Sequence, residues 1–130
     1  MKVIPFSLSR HVFDISYLLC ARDMGAELGS DIPEFGLIAF EGEKPVAAGF
    51  IRQIEGNYAM LDSFISNPDI EYAIRDRALD LITRKLIEVA KRNNVRKLFA
   101  FSEHTGIIDR AIRNGFIPGW NSLLVHPLAK

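Results

Sequence analysis

A chain of 130 residues with a single cysteine, Cys20, cannot close a disulfide within itself or build a cysteine-based zinc cluster. Net charge is also missing, since 16 basic side chains balance 16 acidic ones. That excludes a general polyanion binder, which needs Lys and Arg to neutralise phosphates, so no nucleic acid is expected as partner. No stretch approaches the ~20 apolar residues that cross a bilayer, and the N-terminal MKVIPFSLSRHVFD lacks the continuous apolar segment of a secretory signal. A soluble, cytoplasmic protein with no membrane partner is the expectation. His11, His104 and His126 are scattered, without ligand spacing to one another or to carboxylates, so no metal site is expected. There is no serine nucleophile elbow, and no opening strand runs into a dinucleotide glycine fingerprint. Cys20 falls on the apolar side of a predicted helix, where a buried, inert thiol is expected.

What is present suits one globular domain over residues 1–130, with 48% hydrophobic and 25% charged residues. The balanced charge is unevenly placed. Residues 1–74 hold five basic and eleven acidic side chains, net −6; residues 75–97 hold eight and three, net +5; the remainder is net +1. A confined basic segment suits one small anionic ligand better than a long track, although a helix with a solvated basic face gives the same count.

Along the chain, KVIPFSL at 2–8 predicts a short strand, at an edge because Pro5 cannot donate to a ladder. Ser9 is placed to cap a helix over 10–28, with Val12, Ile15, Leu18 or Leu19, Arg22 and Ala26 on its stripe. Three β-type runs follow at 37–43, 45–54 and 58–66, joined by short Gly- and Asn-bearing connections that predict an antiparallel meander. Gly49 is a candidate bulge in the second of them. From Ile70 the apolar period lengthens through Ile74, Ala78, Leu81, Ile82, Leu86, Val89 and Ala90, a helix ending near Asn93-Asn94. VRKLFAFSE at 95–103 predicts a strand buried on both faces. A helix over 105–114 stops at Gly115, and FIPGWNSLLVHPL supplies one or two last strand pieces. The order β-α-β-β-β-α-β-α-β excludes a ferredoxin-like RNA-binding sheet, which alternates as βαββαβ.

The stretch NPDIEYAIRDRALDLITRKL, residues 67–86, holds two rival helix starts. Asn67 with Pro68, Asp69 and Glu71 makes a capped start at Pro68, whereas a start near Arg75 would leave backbone N–H groups open beside Arg75 and Arg77. Only the second favours an anion.

The element order, SFISNP leading into this arginine-rich helix start, and RAIRNGF near the end together resemble the GNAT superfamily of N-acyltransferases, over residues 3–125. Small phage-encoded members are the most similar. The resemblance implies an α/β (α+β) fold with a mixed, mainly antiparallel sheet flanked by helices, and transfer of an acyl group from acyl-CoA, here acetyl-CoA, to an amine on a small molecule or protein. It implies that Arg75, Arg77 and the backbone at Ala78 hold the diphosphate, in place of the family's R/Q-x-x-G-x-G/A loop. Both glycine positions are filled here, by Ala78 and Asp80, and Arg75 lies seven positions after Pro68 rather than about three. Asp62 matches the strand carboxylate that serves as base, Phe64 and Ser66 offer backbone to the pantetheine and acyl group, and His104 matches a pantetheine contact. An outward strand aspartate and a helix-capping histidine are the alternatives for Asp62 and His104. The family's tyrosine proton donor corresponds to Ala111 and is absent; Tyr58 and Tyr72 are the substitutes at hand. Losing both glycines and the tyrosine motivates a second reading, a catalytically inactive binding or structural module of the same fold. A homodimer, paired through the apolar tail NSLLVHPL, is a further expectation.

Overall fold

The computed structural model describes residues 1–22, 32–119 and 123–128. Their elements are β1 (Lys2–Pro5), α1 (Leu8–Ala21), β2 (Phe35–Glu41), β3 (Lys44–Ile54), β4 (Tyr58–Ser66), α2 (Tyr72–Arg92), β5 (Lys97–Phe101), α3 (Thr105–Arg113), β6 (Ile117–Pro118) and β7 (Leu123–His126). The strands form one sheet in the order β1-β2-β3-β4-β5-β7-β6, antiparallel throughout except for the β4–β5 pair. This is the mixed, mainly antiparallel sheet with flanking helices that the family resemblance implies.

Strand alternation sends neighbouring residues to opposite faces, and each face has its own helices. Ala48, Phe50 and Ile65 meet Ile15, Leu18 and Leu19 of α1. Ala47, Val46 and Phe64 meet Ala78, Ile82 and Leu86 of α2. Further along that second face, Ile87 and Ala90 of α2 join Leu98, Leu124, Phe116 and Ala111 of α3.

Several boundaries differ from expectation for local reasons. α1 starts at Leu8, and Ser7 rather than Ser9 is its N-cap residue. His11 secures this start, because its Nδ1 accepts the Ser7 N–H at 2.9 Å while Ser7 O accepts the His11 N–H at 2.7 Å. The buried face of α1 is therefore His11, Ile15, Leu18 and Leu19, and that phase turns Val12 and Cys20 to solvent. The predicted buried thiol is exposed. Residues 23–28 of the predicted helix lie outside the described residues.

β5 is shorter than 95–103 and is not buried on both faces. Leu98 is inaccessible, but Phe101 is 60% exposed, because β5 loses its β4 neighbour before it ends. The last strand, β7, lies between β5 and β6 in the sheet, and Asn121 and Ser122 of the apolar tail lie outside the described residues. α3 ends as expected at Gly115, φ +93°, with Phe116 N–H on Ala111 O and Gly115 N–H on Ile112 O. No helix among the described residues is long and apolar enough to cross a membrane.

Candidate active site

A gap in the sheet creates the site. β4 and β5 pair only at Tyr58, Ala59 and Met60, although β4 continues to Ser66 and β5 to Phe101. Beyond Met60 the strands part. A bulge on the other side of β4 accompanies this: the β3 register passes from Ala48↔Ile65 to Phe50↔Asp62, so Ser63 and Phe64 together face Gly49. The bulge expected at Gly49 thus belongs to the partner strand, with Ser63 at φ +55°. Gly49 permits it by its size, since a Cβ there would lie 2.8 Å from both Ile82 Cγ2 and Phe64 Cε1.

Past the bulge, Asn67 N–H donates to Val46 O at 2.8 Å, so by antiparallel alternation the N–H groups of Phe64 and Ser66 point the other way, into the gap. This is a row of amides facing a cleft.

α2 begins at Tyr72, between the two rival starts. Asn67 caps a turn instead of the helix: its Oδ1 accepts the Asp69 N–H at 3.0 Å, its O accepts the Ile70 N–H at 3.2 Å, and its Nδ2 donates to Pro45 O at 2.9 Å. Fully buried, it fixes the chain before the helix. Glu71 is the N-cap residue and makes no side-chain cap, and its O takes the N–H groups of Ile74 and Arg75. The Tyr72 and Ala73 N–H groups have no acceptor among the described residues. Arg75 lies in the first turn, beside them.

Two adjoining cavities occupy the gap. The outer one, about 460 Å³, is bordered by Ser66, Tyr72, Arg75, Asp76, His104 and Arg22, with Phe64, Ile107 and Arg110 further in. Arg22 holds the end of β4, donating from Nε to Ser66 O and from Nη2 to Ser66 Oγ, each at 2.9 Å. Arg75 lies over the Tyr72 ring, 5.5 Å from its centroid. Its Nε is buried without an acceptor among the described residues, as is Nε of Arg110. Asp76 is neutralised by Arg110 at 2.9 Å and Arg113 at 3.6 Å, which leaves Arg22 and Arg75 to give the cavity its positive charge.

The inner cavity, about 250 Å³, is lined by Leu61, Asp62, Ser63, Phe64, Thr83, Ala100, Phe101, Ile107, Arg110, Ala111 and Phe116. Asp62 pairs with Phe50 and so belongs to the α1 face, yet it borders this cavity through the gap. Arg52 Nε donates to its Oδ2 at 2.7 Å and Ser63 Oγ to its Oδ1 at 3.4 Å, which fixes the carboxylate at the opening.

Asp62, Phe64, Ser66, Arg75 and His104 therefore border one connected cleft, while two other sequence candidates stand apart. Arg77 is exposed and outside it. Ala78 is fully buried against the sheet, and its N–H lies inside the helical ladder, unavailable to an anion. Asp80 faces α3, accepting from Asn114 at 2.8 Å and Arg113 at 3.2 Å, rather than facing the cleft. His104 is the N-cap residue of α3, its Nδ1 accepting the Gly106 N–H at 3.2 Å, and it borders the outer cavity as well. Tyr72 is at the outer cavity, whereas Tyr58 packs on Phe99 at the far end of β4. Sequence reasoning missed Arg22 and Arg110. A charged residue on an otherwise apolar stripe was the available signal for both.

No family model matches the chain, and no curated protein matches it by sequence. Solved structures do match along nearly its whole length. An acetyltransferase of the GNAT family from Staphylococcus aureus Mu50 is 12% identical with TM-score 0.72, over 98% of this chain and 99% of that one. The aminoglycoside 6'-N-acetyltransferase from Enterococcus faecium is 11% identical with TM-score 0.74, over 100% and 98%. The ribosomal-protein-S18-alanine N-acetyltransferase from Escherichia coli is 15% identical with TM-score 0.69, over 99% and 96%. At such identities the likeness is one of fold.

Proposed function

On a chain whose fold is that of the GNAT superfamily, we propose an acyl-CoA-dependent N-acyltransferase. One observation carries the reading: the outer cavity combines the start of α2 at Tyr72, Arg75 and Arg22 with the in-facing Phe64 and Ser66 amides of a parted strand. Helix-start amides and guanidinium groups suit a diphosphate, and unpaired strand amides suit an extended amide-bearing arm and the carbonyl at its end. The orphaned Nε of Arg75, at the same cavity, is a donor still in want of an acceptor.

In this reading the amine nitrogen attacks the thioester carbonyl carbon, the C–S bond breaks, and the amine's proton passes to Asp62 directly or through water. The thiolate takes up a proton and leaves as the free thiol. Asp62 fits the base role because it sits at the opening of the gap on the α1 face, opposite the helices that border the outer cavity. The acceptor is an amine, and the protein works as a soluble cytoplasmic enzyme.

Thermal unfolding with and without acetyl-CoA tests this. Ligand at 100 times its Kd stabilises by about 2.7 kcal/mol, a rise of several degrees for a domain of this size. Arg75→Ala should shrink the shift, and Arg77→Ala should leave it nearly whole. No shift at millimolar ligand overturns the proposal. A shift without turnover on any amine in a broad panel favours the inactive binding module.

A further inference from the structure

The two cavities differ in the charge at their borders, and the contrast bears on the group being transferred. The outer one presents Arg22, Arg75 and His104, whereas the inner one is walled by Leu61, Phe64, Ala111 and Phe116, with Phe101 and Ile107 at its rim. Apart from Nε of Arg110, the polar side chains bordering the inner cavity have partners among the described residues. Thr83 Oγ1 donates to Leu79 O at 2.7 Å, Arg110 Nη2 to Asp76 at 2.9 Å, and Asp62 is held by Arg52. A group entering there meets mainly hydrocarbon. Phe64, Ile107 and Arg110 border both cavities, so one ligand can run through, its anionic end at Arg75 and its apolar end beside Phe116.

An acetyl group underfills this space. The inner cavity of about 250 Å³ corresponds to roughly eight water volumes at about 30 Å³ each, far more than two carbons and an oxygen require. Apolar walls left facing water forgo the burial that a longer chain would supply.

We propose that the acyl group is an unbranched aliphatic chain longer than acetyl, roughly four to eight carbons by that volume, and that Ala111 sets its length. Ala111 is the small residue on the α3 wall, 7% exposed, and a larger side chain there would take up part of the cavity. This deepens the acyltransferase reading and rests on it.

Calorimetric titration of the whole chain with acetyl-, butanoyl-, hexanoyl- and octanoyl-CoA provides the test. Affinity should rise about fourfold per methylene from acetyl to hexanoyl, the gain for burying each CH₂. Ala111→Leu should cut the hexanoyl-to-acetyl affinity ratio at least tenfold. Ile107→Trp, a change at a half-exposed rim position that does not threaten folding, should reduce the same ratio should Ala111→Leu prove unstable. Acetyl-CoA binding as well as or better than the longer thioesters overturns the chain-length proposal while leaving the acyltransferase reading standing. A preference for long chains that neither variant moves also overturns it, since the gain would then come from elsewhere on the surface. If no thioester binds, acetyl-CoA included, the acyltransferase reading itself fails.

Discussion

Gly49 shows how one residue's size governs the cleft. Its missing Cβ admits Ile82 of α2 and the Phe64 ring, and Phe64 borders both cavities. Gly49→Ala should destabilise the chain by about 1–3 kcal/mol, the usual cost of overpacking a filled core, seen as a lower urea midpoint at unchanged slope. It should weaken acyl-CoA binding as well, by displacing Phe64. His126 is the residue whose protonation the fold resists. Its Nδ1 accepts the Leu128 N–H at 3.0 Å and its Nε2 contacts Asn114 O at 3.1 Å, an arrangement for the neutral Nε2–H tautomer. Burial lowers its pKa below the ordinary 6.5, with the Asn114 carbonyl pulling the other way and Lys91 adding to the depression. The unfolded chain therefore binds more protons, so this contribution is whole above pH 6.5 and is lost as pH falls through the lowered folded value. Melting temperature followed from pH 7.5 to 5 should drop, and His126→Leu should lessen that drop.

Between elements, the cleft depends on how α3 is held against α2. Asp76 and Asp80, one turn apart on α2, face Arg110 and Arg113 of α3 and its C-cap residue Asn114. The two acids are not equivalent. Arg110 keeps only a tenth of its side chain exposed, so Asp76→Ala would leave a buried guanidinium unpaired and should cost about 3 kcal/mol by urea denaturation. Asp80 pairs with the more exposed Arg113 and Arg84, and Asp80→Ala should cost about 1 kcal/mol or less. Burial pushes the Asp80 carboxyl up, but the Asn114 amide and the Arg113 and Arg84 guanidinium groups outweigh it and hold it below the ordinary 3.8. Its contribution is present above pH 3.8 and lost as pH falls through the lowered value. The same pairing holds the Asp80 charge on the α3 side of α2, outside the lining of the cleft.

For the molecule as a whole, a ligand in this cleft would bridge the end of β4, the start of α2 and the start of α3. Amide hydrogen exchange with saturating acyl-CoA should slow at residues 61–66, 72–76 and 104–107, and stay unchanged around the Glu55–Asn57 turn at the far end of β4. Protection at the Tyr58 end instead would move the binding site away from the gap.

The sequence by itself determined the order of elements, because apolar periods of two and of between three and four residues are local properties. β4 spans the predicted 58–66 without change, and Gly115 ends α3 where its freedom at positive φ allows. Sequence also picked out the carboxylate and the arginine that border the cleft, Asp62 and Arg75. Tertiary structure alone decided the rest. Neither rival start of α2 was chosen, because Asn67 is drawn into the sheet by Pro45 O and Val46 and caps a turn there. Arg77 and Ala78 were separated from Arg75 by the helix phase that the sheet imposes, with Ala78 turned into the core and Arg77 to solvent. Arg22 and Arg110 reached the cleft from elements 44 residues before and 34 after the residues they bind, Ser66 and Asp76. Such contacts depend on where strands part and helices pack, and no local period encodes that.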